Sequence, residues 1–267
     1  MGAHHDFIAT VAPALNPLPH PPVLTIERAG TVTWLTLNRP RKANALNLAL
    51  NQALIEACRG LGPETAIVVL QGAGNHFCGG SDLLDLYQVD RAEAARVIKL
   101  EIDACHALAA LPQLTVAMLH GKCYGGGAIL PLYCDLRIGR SGVEFCLPEV
   151  GLGWAPPYGI ERLESQLGRS FAIEMLLSGR TCNDQEALRH GWIAHLLAAD
   201  PAEGIAYVNR LAQPPAPVLP DTLGLVSRKD LSRIKAADSK ALEVFLDHFD
   251  TDHARAQIAR FVEKKRP

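Results

Sequence analysis

The chain lacks a disulfide frame, a spaced metal motif, a long apolar run and a surplus of charge. Its seven cysteines (Cys58, Cys78, Cys105, Cys123, Cys134, Cys146 and Cys182) are odd in number and form no C-x-x-C pair. Such usage fits reduced thiols in a cytoplasmic setting better than a cross-linked secreted domain or a zinc site. Ten histidines make no ligand spacing with one another or with cysteine, so no metal is expected. No stretch approaches the ~20 apolar residues that a membrane helix needs. The N-terminus has no basic segment followed by an apolar one, so no signal peptide is read. A net charge of −2 gives no reason to expect nucleic acid or an anionic membrane as partner.

What is present is glycine at two strand–helix junctions. Gly125-Gly126-Gly127 follows the apolar run Leu114 to Leu119 and precedes the mostly apolar stretch Ala128 to Cys134. A second cluster, Phe77-Cys78-Gly79-Gly80-Ser81-Asp82, follows Ala66 to Leu70 and precedes Leu83 to Gln88. A strand running through glycines into a helix leaves unpaired N–H groups pointing out of the turn, open to a ligand oxygen. Taken alone, most such junctions are only tight turns. The familiar glycine loops fail on a required letter. A dinucleotide fingerprint from Gly72 needs glycine where Phe77 stands, and a P-loop needs Ser or Thr after a Gly-Lys pair, where Cys123 stands. A nucleophile elbow at Ser81 needs glycine where Leu83 stands. Two turns that each offer an N–H suit a hole for a developing oxyanion.

The remaining pattern predicts an α/β core. Ala29-Gly30 between β-rich segments predicts a hairpin, and Asn47 predicts the cap of a helix running to about Cys58. Helices are expected over 83–88 and 91–111, and from the glycine triplet to about Cys134, with Pro131 a source of irregularity. Short strands are expected at 136–138, 143–146 and 192–197. From about 159 the pattern is mainly helical: 159–168, 170–178, 184–190 and 201–212. Residues 1–21 read as a loose proline-marked arm, 214–220 as a linker and 221–264 as helical, with an apolar stripe that needs a partner surface. Glu149 is the sole carboxylate in Phe145 to Trp154. If buried there, its pKa is raised toward the range of a general acid/base; the commoner fate of a Glu in a turn is solvation.

These segments together resemble the crotonase, or enoyl-CoA hydratase/isomerase, superfamily from about Pro22 to Lys265. Asn38-Arg39-Pro40 with Lys42 and Asn44-Ala45-Leu46 is similar to the family's early loop, and 77–83 to its first oxyanion-hole segment. His120 to Gly127 with Cys134 to Ile138 resembles the second such segment, Leu147 to Gly153 the catalytic P-E segment, and Phe261 to Lys265 the C-terminal tail. The resemblance implies a ββα spiral core over 22–213 that binds acyl-CoA, with a C-terminal helical oligomerisation region over 214–267. It implies the N–H groups of Ser81 and Gly126 as oxyanion donors and Glu149 as acid/base. Substrate contacts are implied from Lys42, Ala43, Ala45, Gly79, Gly80, Asp82, Leu83, Gly125, Trp154, Phe261 and Lys264, with Asp82 rather a helix cap than a chemical group. Coenzyme A enters only as part of the substrate, with no separate cofactor. A homotrimer or hexamer is the implied assembly.

Departures from the family pattern narrow the chemistry. Hydratases carry a first glutamate two residues beyond the triplet, where Ile129 stands, and keep the second at the position of Glu149. A single carboxylate is similar to the Δ3,Δ2-enoyl-CoA isomerase branch, which moves one proton between carbons. A hydroxyacyl-CoA hydrolase branch carries Asp where Pro157 stands. Dehydratases and decarboxylases acting on carrier-protein-bound acyl groups share the scaffold, with Tyr87, Tyr124 or His106 as groups to recruit. A non-catalytic acyl-CoA-binding scaffold is the reading from a different class.

Overall fold

A computed structural model describes residues 21–214, 218–226 and 230–264. Among the described residues eight strands form: β1 (Leu24–Ala29), β2 (Val32–Leu37), β3 (Ile67–Gly72), β4 (Leu114–Leu119), β5 (Lys122–Tyr124), β6 (Leu136–Arg140), β7 (Glu144–Cys146) and β8 (His195–Leu197). The helices of the first half are α1 (Leu48–Arg59), α2 (Arg91–Ala109), α3 (Gly126–Ile129) and α4 (Glu149–Leu152). Those that follow are α5 (Ile160–Leu167), α6 (Arg169–Ser178), α7 (Asp184–Arg189), α8 (Pro201–Leu211), α9 (Val218–Leu225), α10 (Leu231–Phe249) and α11 (Asp252–Glu263). A six-stranded sheet runs β1-β2-β3-β4-β6-β8, antiparallel at the β1–β2 hairpin and parallel elsewhere.

The sheet's two faces follow from the period-2 alternation of a strand. In β3, Val68 and Leu70 face the large core under α1 and α2, while Ile67 and Val69 join a smaller core under α8 and α9. Strands buried on both faces read as continuous apolar runs, which is why β3 and β4 are legible in the sequence. Asn47 caps α1, its side chain accepting from the Leu50 N–H at 3.0 Å.

Three expectations change. Residues 83–88 form no helix; they are successive turns closed by i to i+3 bonds, such as Asp85 N–H to the Asp82 carbonyl. Six residues are too few to offset helix nucleation, and the Asp85 carboxylate instead accepts the orphan Leu48 N–H of α1 at 2.9 Å. The helix after the triplet is α only to Ile129, then tightens to a 3-10 turn over Leu130–Tyr133 that accommodates Pro131. Of the expected linker, residues 215–217 lie outside the described residues and Val218 already starts α9. The arm 1–21 lies outside them but for its last residue.

The C-terminal stripe finds a surface within the chain, since α10 packs on α2 and α5. The seven cysteines are buried thiols, none in a disulfide. Among the described residues no helix is long and apolar enough to cross a membrane.

Candidate active site

A small second layer of strands places the glycine turns. β5 pairs in parallel with β7, and on its other side with the segment at Cys78. The Phe77 N–H donates to the His120 carbonyl, Cys78 N–H to Lys122 and Tyr124 N–H to Cys78. The Gly125 N–H then donates to the Cys146 carbonyl at 2.8 Å. Three segments, 77–79, 122–124 and 144–146, therefore run side by side and release Ser81, Gly126 and Glu149 at the same end.

The two turns are fitted closely enough to require glycine. A Cβ on Gly127 would stand 2.2 Å from the Cys78 carbonyl oxygen. Gly80, at φ 96°, leaves its own Cβ position 3.4 Å from the Gly126 nitrogen. Leu46 bridges Ser81: its N–H donates to the Gly80 carbonyl and its carbonyl accepts from Asp82, both at 2.8 Å. The Ser81 N–H thus faces away from Leu46. Gly126 opens α3, where the first N–H groups of a helix have no intrahelical acceptor.

A cavity of about 290 Å³ lies at this junction. Its walls include Gly79, Gly80, Ser81, Leu83, Gly125, Gly126, Glu149, Trp154 and Phe261 from the sequence-derived set. Leu86, Ile98, Ile129, Leu152 and Phe245 make most of the remainder apolar. Glu149, the first residue of α4, is 7% exposed. Its Oε1 lies 3.1 Å from the Cβ position of Gly125, and its Oε2 is buried without a hydrogen-bond partner. Burial pushes its pKa up to about 7, against a small lowering from its own backbone N–H.

The match that decides the family is the Enoyl-CoA hydratase/isomerase model, which covers residues 27–267. The chain belongs to that family. This enoyl-CoA hydratase/isomerase family member is 28% identical over 250 residues to a probable enoyl-CoA hydratase of Mycobacterium tuberculosis, spanning 91% of this chain and 96% of that one. It is 29% identical over 253 residues to the 2,3-dehydroadipyl-CoA hydratase of Escherichia coli, spanning 91% and 97%. The crystal structure of an enoyl-CoA hydratase from Bacillus halodurans superposes with a TM-score of 0.81 over 89% of this chain and 99% of that chain. At 23% identity that likeness concerns the crotonase fold alone.

The remaining site residues of this family member lie off the cavity wall. Ala43 and Ala45 stand beside the first glycine turn: the Ala43 carbonyl accepts from the Gly79 N–H at 2.7 Å, and the Ala45 carbonyl accepts from Arg39. Lys42, in the 3-10 turn Pro40–Lys42, and Lys264, after α11, are exposed. Asp82 caps no helix. It pairs with Arg39 at 2.9 Å and so ties the 39–46 loop to the first turn. His106 bonds Asp238 and stands apart from the cavity, while the Tyr124 hydroxyl is spent on Glu144 at 3.0 Å.

A second buried carboxyl, absent from the expected set, stands behind the cavity wall. Glu101, 1% exposed on α2, accepts hydrogen bonds on Oε2 from the Ser81 hydroxyl at 2.8 Å and the Tyr158 hydroxyl at 2.9 Å. Its pKa is also pushed up to about 7, chiefly by burial. A signal existed in the sequence. Ala94, Val97, Ile98, Glu101, Cys105 and Leu108 form one buried stripe at helical spacing, and a glutamate on such a stripe needs a partner.

Proposed function

We propose that this chain acts on an acyl-CoA thioester, holding the thioester oxygen on the N–H groups of Ser81 and Gly126 while Glu149 moves a proton and shifts a carbon–carbon double bond. Preorganised donors at the hole stabilise the enolate formed when a proton leaves the α-carbon. The observation that carries the reading is Glu149: a buried, neutral-range carboxyl with an unpartnered oxygen beside the hole, in a cavity where Ile129 takes the place of a second glutamate. The coenzyme A moiety lies along Lys42, Ala43 and Ala45 and reaches Lys264, and no separate cofactor takes part. The chain works in the cytoplasm as a homotrimer or hexamer assembled through its C-terminal helices. Sedimentation at single-chain mass would contradict that assembly.

The test is turnover of 3-enoyl-CoA and 2-enoyl-CoA by the wild type and by Glu149→Gln. Double-bond migration is expected in the wild type, with a loss of 100-fold or more, roughly, in the variant. Unchanged turnover in the variant removes Glu149 from the mechanism. Hydration is the second reading, favoured by the names of the relatives. Rapid water addition to 2-enoyl-CoA with no migration would select it.

A further inference from the structure

Behind the cavity wall sits a polar cluster that a single-carboxylate proton shift does not use. The carboxyl of Glu101 is buried in the middle of α2, and among the described residues its hydrogen-bond partners are two hydroxyls that both line the cavity, Ser81 and Tyr158. Both stand at the hole. A Cβ on Gly126 would lie 2.6 Å from the Tyr158 oxygen and 3.5 Å from Ser81 Oγ. Tyr158 is 2% exposed, whereas Ser81 is half-buried and open to the cavity.

We infer that the Ser81 hydroxyl is a second proton donor to the substrate, separate from Glu149, and that Glu101 is the positioning residue that supplies it. The inference rests on the acyl-CoA reading above and adds a second proton path to it.

Hydrogen accounting defines the path. When Glu101 is ionised, both hydroxyls donate to Oε2, and the Ser81 proton points away from the cavity. When Oε2 carries a proton, it donates to Ser81 Oγ and still accepts from Tyr158, which leaves the Ser81 O–H free to turn toward substrate. Delivery breaks the Ser81 O–H bond and forms a C–H bond at the enolate's electron-rich carbon. Ser81 Oγ then takes the proton from Oε2, and Glu101 is left as carboxylate. One proton passes from carboxyl to carbon, and the serine is regenerated. Glu149 keeps the proton taken from substrate. After product leaves, it releases that proton to solvent while Glu101 takes one up from solvent.

The groups facing Glu101 leave the proton available near neutrality. Asp85 from the turn before α2 and Glu149 from α4 both disfavour its ionisation, and the two hydroxyls favour it less strongly than burial opposes it. The thiols of Cys78 and Cys105 also face it and are themselves held un-ionised by burial. Glu149 and Glu101 thus bring two carboxyls with neutral-range pKa values to one cavity, one reaching the substrate directly and the other through a serine.

Two measurements test this, and the first needs no substrate. Infrared titration of wild type, Glu101→Gln and Glu149→Gln between pH 5 and 9 is expected to show two protonated-carboxyl bands that disappear near neutrality, each missing from one variant. If Glu101→Gln removes no protonated-carboxyl band at any pH, Glu101 is ionised throughout and the inference is overturned. The second uses 3-enoyl-CoA deuterated at C2. The wild type is expected to place solvent hydrogen at C4. Glu101→Gln and Ser81→Ala are expected to lower kcat by about 100-fold with KM within about two-fold, and to lose one limb of the kcat–pH profile. Glu101→Asp is expected to restore that limb in part. Carry-over of most C2 deuterium to C4, or an unchanged profile in Glu101→Gln, overturns the inference. A wild type inactive on every enoyl-CoA instead overturns the proposed function, and the infrared titration then decides the fate of Glu101 by itself.

Discussion

Replacing Glu149 by glutamine should abolish turnover and at the same time make the protein more stable at alkaline pH. In the unfolded chain the carboxyl ionises near its ordinary value of 4.5, and in the folded chain near 7. Between those values the native state holds more proton than the unfolded state, so stability falls as pH rises and the loss is complete above about 7. The gap of about 2.5 pH units is worth about 3 kcal/mol, at ~1.4 kcal/mol per unit. Glutamine fills the same space and carries no charge to desolvate. Thermal melts of wild type and Glu149→Gln at pH 8 should therefore differ by about 2–3 kcal/mol in favour of the variant, roughly 5–10 °C for a chain of this size. At pH 5 the advantage should shrink to about 1 kcal/mol or less. A variant less stable than wild type at pH 8, or a gain independent of pH, refutes the claim that this carboxyl is held in the cavity at the expense of stability.

The glycine turns separate chemistry from folding. Gly126→Ala drives its methyl against the Tyr158 hydroxyl at 2.6 Å and Leu46 Cδ1 at 3.3 Å; circular dichroism should stay native while turnover falls about 100-fold. Gly127→Ala meets the backbone at Cys78 instead, so the paired segments must part, and a loss of about 3 kcal/mol or more in denaturant melts is expected. Asp238→Ala orphans the buried Gly159 N–H and Tyr133 hydroxyl, held at 2.8 and 2.7 Å. Urea melts should register a loss of about 3 kcal/mol, and less for Asp238→Asn.

The sequence made some of this legible because one local rule acted unopposed. The β3 and β4 runs are apolar on both faces, Asn47 precedes an amphipathic helix, and the glycine turns stand where no Cβ fits. Where local and distant demands compete, the letters mislead. Leu83 to Gln88 looks helical, yet Asp85 is engaged by α1 and the left-handed Gln88 (φ 59°) redirects the chain just before Asp90 caps α2. Asp82 looks like a cap, yet Arg39 lies within reach only after the 39–46 loop has closed. Glu101 carries no motif, because what qualifies it is the company of Ser81 and Tyr158, 20 and 57 positions away in the chain.

Asp238 ties the last third of the chain to the first layer of the site. It lies on α10, yet its Oδ1 accepts the N–H of Gly159, the residue after Tyr158, and its Oδ2 accepts the hydroxyl of Tyr133. During synthesis Glu149 emerges from the ribosome some ninety residues before that aspartate, and the glycine turns earlier still, by count along the sequence. The nascent chain thus has the Glu149 carboxyl before it has the clasp beside Tyr158. A chain that stops before Asp238 lacks the carboxylate that holds both the Gly159 N–H and the Tyr133 hydroxyl.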